Sequence, residues 1–229
     1  SGQSRYICEV PVHSVMETGD DASFWRVIEN AALVTPGGMP LVWMLRLMGF
    51  SNQPRVYGPD LMLRTCAAAA AVKVSVGLYG STPHVIGLLT RVLTERYPAL
   101  QIDFSYSPPF RDLSSQEDEE VVAKINHADV RILFVGLGCP RQEKWMAQHR
   151  ARLKTVMLGV GAAFDFISGN KPQATPIRQR AGLEWTFRLA TEPKRLGYRY
   201  LYYNPKFLLL AAAELIKNAV VVPRTRPDV

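Results

Sequence analysis

Arg131-Ile132-Leu133-Phe134-Val135-Gly136-Leu137-Gly138-Cys139-Pro140-Arg141-Gln142-Glu143-Lys144-Trp145 passes from an apolar run through a Gly-x-Gly-x-Pro turn into a polar segment. The run 132–135 is short and bounded by glycine, which marks a buried strand. The turn that follows opens a helix with Gln142 and Glu143 in its first turn. Gly136 and Gly138 let backbone come close to a ligand. The unpaired N–H groups and positive dipole end of the helix suit an anion such as a diphosphate. Glycine turns after strands also serve packing alone, so this turn by itself names no ligand.

The same succession recurs on both sides of that stretch. The run 32–35 leads into Pro36-Gly37-Gly38-Met39-Pro40 and a helix reaching residues 45–49. The run 72–79 leads into Gly80-Ser81-Thr82-Pro83 and a helix over 84–96, and the run 155–160 ends in Gly159-Val160-Gly161 and continues to Asp165. Residues 101–104 read as a further strand, and Ser115 as the cap of a helix over 116–126. Residues 6–15 have β-type composition, with Pro11 suited to an edge or to the strand's end. Asp20 or Asp21 caps a helix to about residue 30, with Phe24, Val27 and Ile28 on one face. The loop 52–60 carries Arg55, and a helix follows over 59–71. Strands that alternate with helices and end in glycine turns predict an α/β fold: a Rossmann-like, mostly parallel sheet with helices on both faces and ligands at the carboxyl ends of the strands. None of the turns is a GxGxxG or Walker sequence, so neither a dinucleotide nor a P-loop nucleotide is indicated.

With 229 residues, 48% of them apolar and 21% charged, the chain has the composition of a folded globular protein. Its net charge of +7 favours anionic partners without choosing among nucleic acid, phosphorylated metabolites and acidic lipid. Cys8, Cys66 and Cys139 are odd in number and lack CxxC spacing, which argues against a disulfide framework or zinc site and for a reducing compartment. Ser1-Gly2 reads as an engineering scar, and no secretory signal is read in the sequence. From about Gly169 the composition shifts: arginines and lysines interleave with Trp185, Phe187, Tyr198, Tyr200, Tyr202, Tyr203 and Phe207. A two-part organisation is expected, a core over 1–170 and a basic helical appendage over 171–229. The apolar run 208–213 is far below the roughly 20 residues that span a bilayer. A basic aromatic segment can lie on an anionic membrane or hold a lipid phosphate, and it can equally pack on the core with a solvated basic face. Aromatics beside arginines also suit single-stranded nucleic acid, but no nucleic-acid motif accompanies them and no nucleic-acid partner is expected.

Several blocks together resemble the WecG/TagA/CpsF family of bacterial glycosyltransferases, glycosyltransferase family 26. They are Pro36-Gly37-Gly38-Met39, Arg55-Val56-Tyr57-Gly58-Pro59-Asp60-Leu61, Leu78-Tyr79-Gly80, and Gly136 through Trp145. The order continues with Gly159 through Asp165, Ser168-Gly169-Asn170, Gly182-Leu183-Glu184-Trp185-Thr186-Phe187-Arg188-Leu189, and Glu192-Pro193. The resemblance implies an inverting, metal-independent enzyme without a cofactor. Such an enzyme moves a sugar from a UDP-sugar donor to a polyprenyl-diphosphate-linked sugar in the synthesis of exopolysaccharide, capsule or teichoic acid. It implies a peripheral position on the inner, cytoplasmic face of the cell membrane, with self-association left open. A carboxylate would take the proton of the acceptor hydroxyl while protein donors neutralise the departing UDP.

The chain departs from the family's pattern at three places. The proline-flanked turn of the family reads Pro-Asp-Gly, with the aspartate as its proposed base, and here that position is Gly37. The family's Thr-x-Asn pattern is replaced at Glu9 and Pro11, which makes Glu9 a candidate substitute base, its alternative being a solvent-facing strand residue. Its Arg-Ala-Pro reads Gln173-Ala174-Thr175. The resemblance assigns Gln142 to the catalytic pocket, where the alternative is a helix-capping side chain; Asp165, after a glycine turn at a strand end, belongs to the same pocket if it binds a sugar hydroxyl, or is a structural aspartate bonding loop amides. The resemblance gives the donor Arg55, Gly80, Ser81, Gly136, Gly138 and Pro140, and gives the acceptor diphosphate Arg188, Arg195 and Arg199, whose spacing would place them on one helix face. No metal ligand is assigned. Because glycine accepts no proton, a binding protein on the same scaffold that holds nucleotide sugar or lipid without turnover is the alternative.

Overall fold

The computed structural model describes residues 4–221, so the reading of Ser1-Gly2 and the end of the basic segment, 222–229, lie outside the described residues. The chain runs β1 (Arg5–Val10), α1 (Val12–Asp20), α2 (Ala22–Glu29), β2 (Leu33–Pro36), α3 (Met39–Leu47), α4 (Gly58–Ala71), β3 (Val76–Gly80), α5 (Pro83–Arg96) and β4 (Ile102–Tyr106). It continues with α6 (Ser115–His127), β5 (Ile132–Gly136), α7 (Arg141–His149), β6 (Val156–Gly159), α8 (Ala163–Ile167), α9 (Pro176–Arg180), α10 (Glu184–Thr191) and α11 (Pro193–Val221). The strands form one sheet in the order β2-β1-β6-β5-β3-β4. The pairs β1 with β6, β6 with β5, β5 with β3 and β3 with β4 are parallel. On the remaining edge the amides of Ala32 and Gly37 donate to Tyr6 and Val10, so β2 runs the same way as β1. The expected Rossmann-like parallel sheet is present.

Burial follows the strand pattern. Every residue of β3 is buried, as a parallel strand covered on both faces requires. Leu78 and Phe134 of the central strands, Met62 and Cys66 of α4, Leu89 and Leu93 of α5 and Phe164 of α8 share one core. The three cysteines are free.

Several boundaries move from their expected places. The first strand stops at Val10, and residues 12–20 are helical. Pro11 has no N–H for a ladder, while its carbonyl accepts from Ser14 and Val15 and so opens a helix turn. The strand expected from residue 72 begins at Val76, because Lys73 takes a left-handed φ of 55° and separates it from α4. The cap of α6 is Ser114, not Ser115. Its hydroxyl accepts from the Glu117 amide while the Glu117 carboxylate accepts from the Ser114 amide.

The chain divides into two compact units. The first comprises residues 1–9, 21–35 and 56–173. The second comprises 10–20, 36–55 and 174–229, so it unites the C-terminal helices with α1 and α3. Within it α11 packs along both α1 and α10, and Lys206 of α11 reaches Asp20 at the end of α1 at 2.6 Å.

Candidate active site

In the first unit the order of strands locates the crevice. After β3 the chain steps outward to β4, then returns to the other side of β3 with β5 and onward to β6. The connection leaving β3 runs to one side and the connection leaving β5 to the other, so a cleft opens at the carboxyl ends of β3 and β5. Gly80, Ser81, Gly136 and Gly138 are brought together there. Gly80 faces Gly136 across the ladder, and the Ser81 amide donates to the Gly136 carbonyl at 3.1 Å. Gly80 has φ 130°, and a Cβ on it would stand 2.5 Å from the Gly136 oxygen. Ser81 holds a left-handed φ of 55°, supported by a hydrogen bond from the Ser107 hydroxyl to its carbonyl at 2.7 Å. Backbone kept in this region by its surroundings is a feature of ligand clamps. A cleft of about 500 Å³ lined by Lys73, Ser75, Gln101, Asp103, Asp129 and Arg131 lies at the opposite, amino ends of the strands, away from these turns.

Gln142 sits one residue into α7, after the cis peptide before Pro140, and is only 2% exposed. Its Oε1 accepts from the Gly138 amide at 3.3 Å and the Gly161 amide at 3.0 Å. Its Nε2 donates to the Glu143 carboxylate at 2.8 Å. One side chain thereby ties the turn after β5 to the turn after β6. We expect Gln142→Ala to destabilise the protein by about 3 kcal/mol in urea unfolding, since two backbone donors lose a buried acceptor. Stability within about 0.5 kcal/mol of the parent would show that the clamp is dispensable.

Asp165 of α8 accepts from the Asn170 side chain at 2.7 Å and lies 3.7 Å from the Lys171 ammonium, so it braces the loop that follows α8. Glu9 lies against the start of α4, its Oε2 3.7 Å from where a Cβ on Gly58 would stand. That is the positive end of the helix dipole.

The second unit collects the remaining candidates. Arg55 donates from Nε to the Gly37 carbonyl at 2.6 Å and from Nη2 to Glu184 Oε2 at 2.6 Å. It thus joins the glycine turn to the first turn of α10. Arg188, Arg195 and Arg199 do not share one helix face as their spacing suggested, because the chain breaks at Glu192 between α10 and α11. All three nonetheless act by their charge on His13 of α1. Its Nε2 is buried without a hydrogen-bond partner, and its pKa is lowered from 6.5 to about 3 by burial and by the charges of Arg199, Arg188 and Arg195. Sequence reading gave His13 no role and named Glu184 only within a motif. Neither residue carries a local signal, since each acquires its neighbours by folding.

His13 stays neutral in the folded chain, whereas the unfolded chain binds a proton below pH 6.5. Its contribution to stability is therefore complete above pH 6.5 and is lost as pH falls toward about 3, by about 1.4 kcal/mol for each pH unit. Between pH 7.5 and 5.0 the parent should lose about 2 kcal/mol more in urea unfolding than His13→Gln. Equal losses would place His13 in a solvated environment. Among the described residues, no three His, Cys, Asp or Glu side chains gather as a metal site.

A parallel α/β sheet with glycine turns at its switch point defines a Rossmann-like protein. Comparison with known proteins carries this further: the model of the Glycosyl transferase WecG/TagA/CpsF family matches residues 1–220, and the chain belongs to that family of glycosyltransferases. It is 30% identical over 91% of its length to an N-acetylglucosaminyldiphosphoundecaprenol N-acetyl-beta-D-mannosaminyltransferase of Bacillus subtilis (strain 168), covering 79% of that protein. An enzyme of the same name from Bacillus spizizenii is 31% identical over 84% of the chain and 72% of its own length. One from Staphylococcus aureus (strain NCTC 8325 / PS 47) is 30% identical over 76% of the chain and 67% of its own length.

Proposed function

We propose that the chain transfers a hexosamine from a UDP-linked donor to a sugar carried on a polyprenyl diphosphate, working at the inner face of the cytoplasmic membrane in the synthesis of a surface polysaccharide. The relatives named above transfer N-acetylmannosamine to a diphosphoundecaprenol-linked N-acetylglucosamine, and these are the first donor sugar and acceptor to try. The observation that carries the reading is the group of Arg188, Arg195 and Arg199, all within charge range of His13, whose Nε2 is buried without a hydrogen-bond partner. Arg188 and Arg199 are partly buried, and the exposed Arg195 is paired with Glu192 at 2.6 Å; such cations suit a diphosphate, which they hold by charge-assisted hydrogen bonds. The donor's diphosphate fits the crevice of the first unit, where the turns after β3 and β5, with Gly80, Ser81 and Gly136 to Pro140, lead into the N-termini of α5 and α7, the positive ends of their dipoles.

In the reaction the acceptor hydroxyl oxygen attacks the anomeric carbon. The bond to the UDP oxygen breaks, and the hydroxyl proton passes to a base. No side chain at Gly37 can take that proton. This favours one second reading, a protein that binds donor and lipid without turnover. A single experiment separates the two: radiolabelled UDP-N-acetylmannosamine is incubated with N-acetylglucosamine on a short polyprenyl diphosphate, and UDP binding is measured in parallel. Labelled disaccharide supports the enzyme, and UDP binding without product supports the binding protein. Absence of both overturns the two readings together.

A further inference from the structure

We propose that α3 and the turn after it, continued by the turn between α9 and α10, form a membrane-docking face additional to the long helix α11 and insert apolar side chains into the headgroup region of an anionic bilayer. This rests on the membrane reading above and assigns it a further surface. Trp43 and Leu47 are one helical turn apart and lie on the same side of α3. They are 43% and 67% exposed, and Phe50, just past the helix end, is 61% exposed.

The face continues beyond α3. A Cβ on Gly182 would stand 2.5 Å from Trp43 Cη2, so the indole lies against the turn between α9 and α10. The flanking Ile177 and Leu183 are 80% and 47% exposed. The Arg55–Glu184 ion pair at 2.6 Å fastens the loop after α3 to α10, which makes the two stretches one surface. Apolar side chains gathered in this way mark an interaction site.

Charge identifies the occupant. The second unit holds twelve of the 27 Lys and Arg but six of the 20 Asp and Glu, so +6 of the chain's net +7 resides in it. Arg46 belongs to α3, and the exposed Arg178 and Arg180 follow Ile177 directly. Basic residues beside exposed Trp, Phe and Leu match an interface of anionic headgroups over acyl chains. A second copy of the same face would bring like charge against like charge. No helix among the described residues is long and apolar enough to cross a membrane, so the insertion is interfacial.

The test is flotation of the full chain and of Leu47→Glu/Phe50→Glu with phosphatidylglycerol-containing vesicles and with pure phosphatidylcholine vesicles. Thermal unfolding and sedimentation equilibrium are followed in parallel. The parent should float with the anionic vesicles, and the double variant should partition roughly tenfold less at an unchanged melting temperature. Brominated acyl chains should quench parent fluorescence more than that of Trp43→Phe. Equal flotation of parent and double variant would overturn this face while leaving membrane association by α11 intact. A parent that ignores anionic vesicles would remove both. A parent dimer that the double variant converts to monomer, with flotation unchanged, would reassign the face to self-association.

Discussion

Gly80→Ala is expected to destabilise the protein by about 3–5 kcal/mol, the sum of a strained backbone and a steric overlap. Gly80 ends β3 with φ 130°, a conformation that side chains rarely adopt, and its missing Cβ would meet the Gly136 oxygen at 2.5 Å. Relief by movement is not available cheaply, because the opposing atom is backbone of the neighbouring central strand. Gly87 is the control. It lies in α5 on the exposed side, and a Cβ there would meet nothing within 4 Å. Gly87→Ala should stabilise by about 0.5–1 kcal/mol through helix propensity alone. Urea midpoints that move in opposite directions for the two variants would establish that the glycine of β3 is required by strand packing. A small effect at Gly80 would mean that the sheet end is plastic and that the glycine serves only ligand access.

Gly37→Asp is expected to raise the rate of sugar transfer by about 10²–10⁴-fold, the usual contribution of a positioned general base. The backbone is ready to receive the side chain. Gly37 is not among the glycines with left-handed φ. Its hydrogen bonds, from Arg55 Nε to its carbonyl and from its amide to the Val10 carbonyl, use only main-chain atoms and survive the change. Comparable rates in parent and variant would place the base elsewhere. Glu9→Gln is then the next comparison, since Glu9 carries a carboxylate at the end of β1.

The structure changes how the candidate residues divide their work. Gln142, expected to touch ligand, spends its amide on two glycine turns and Glu143, and its effect on a donor would pass through the turns it holds. Arg55, expected to hold a diphosphate, bridges Gly37 and Glu184. Both residues were found by motif, but their partners are 19 and 129 residues away, and motif spacing contains no information about such contacts.

The alternation of short apolar runs with glycine turns and capped helices was sufficient to specify the parallel α/β sheet, because strand burial and helix initiation are written in local residue order. The same order placed Gly80, Gly136 and Gly138 at strand ends, and the family blocks gave the enzyme class. Tertiary structure alone decided three things. Residues 12–20 became helix through packing on α11, although composition favoured strand as far as residue 15, since a short helix draws most of its stability from the face it buries. His13 became a partly buried, neutral group under the charges of three arginines on two other helices, although nothing in its own segment distinguishes it. The basic residues and the apolar side chains of α3, α9 and α10 came to share one compact unit. Burial and electrostatic environment depend on which surfaces meet after the chain has folded, and segments more than a hundred residues apart acquire them together or not at all.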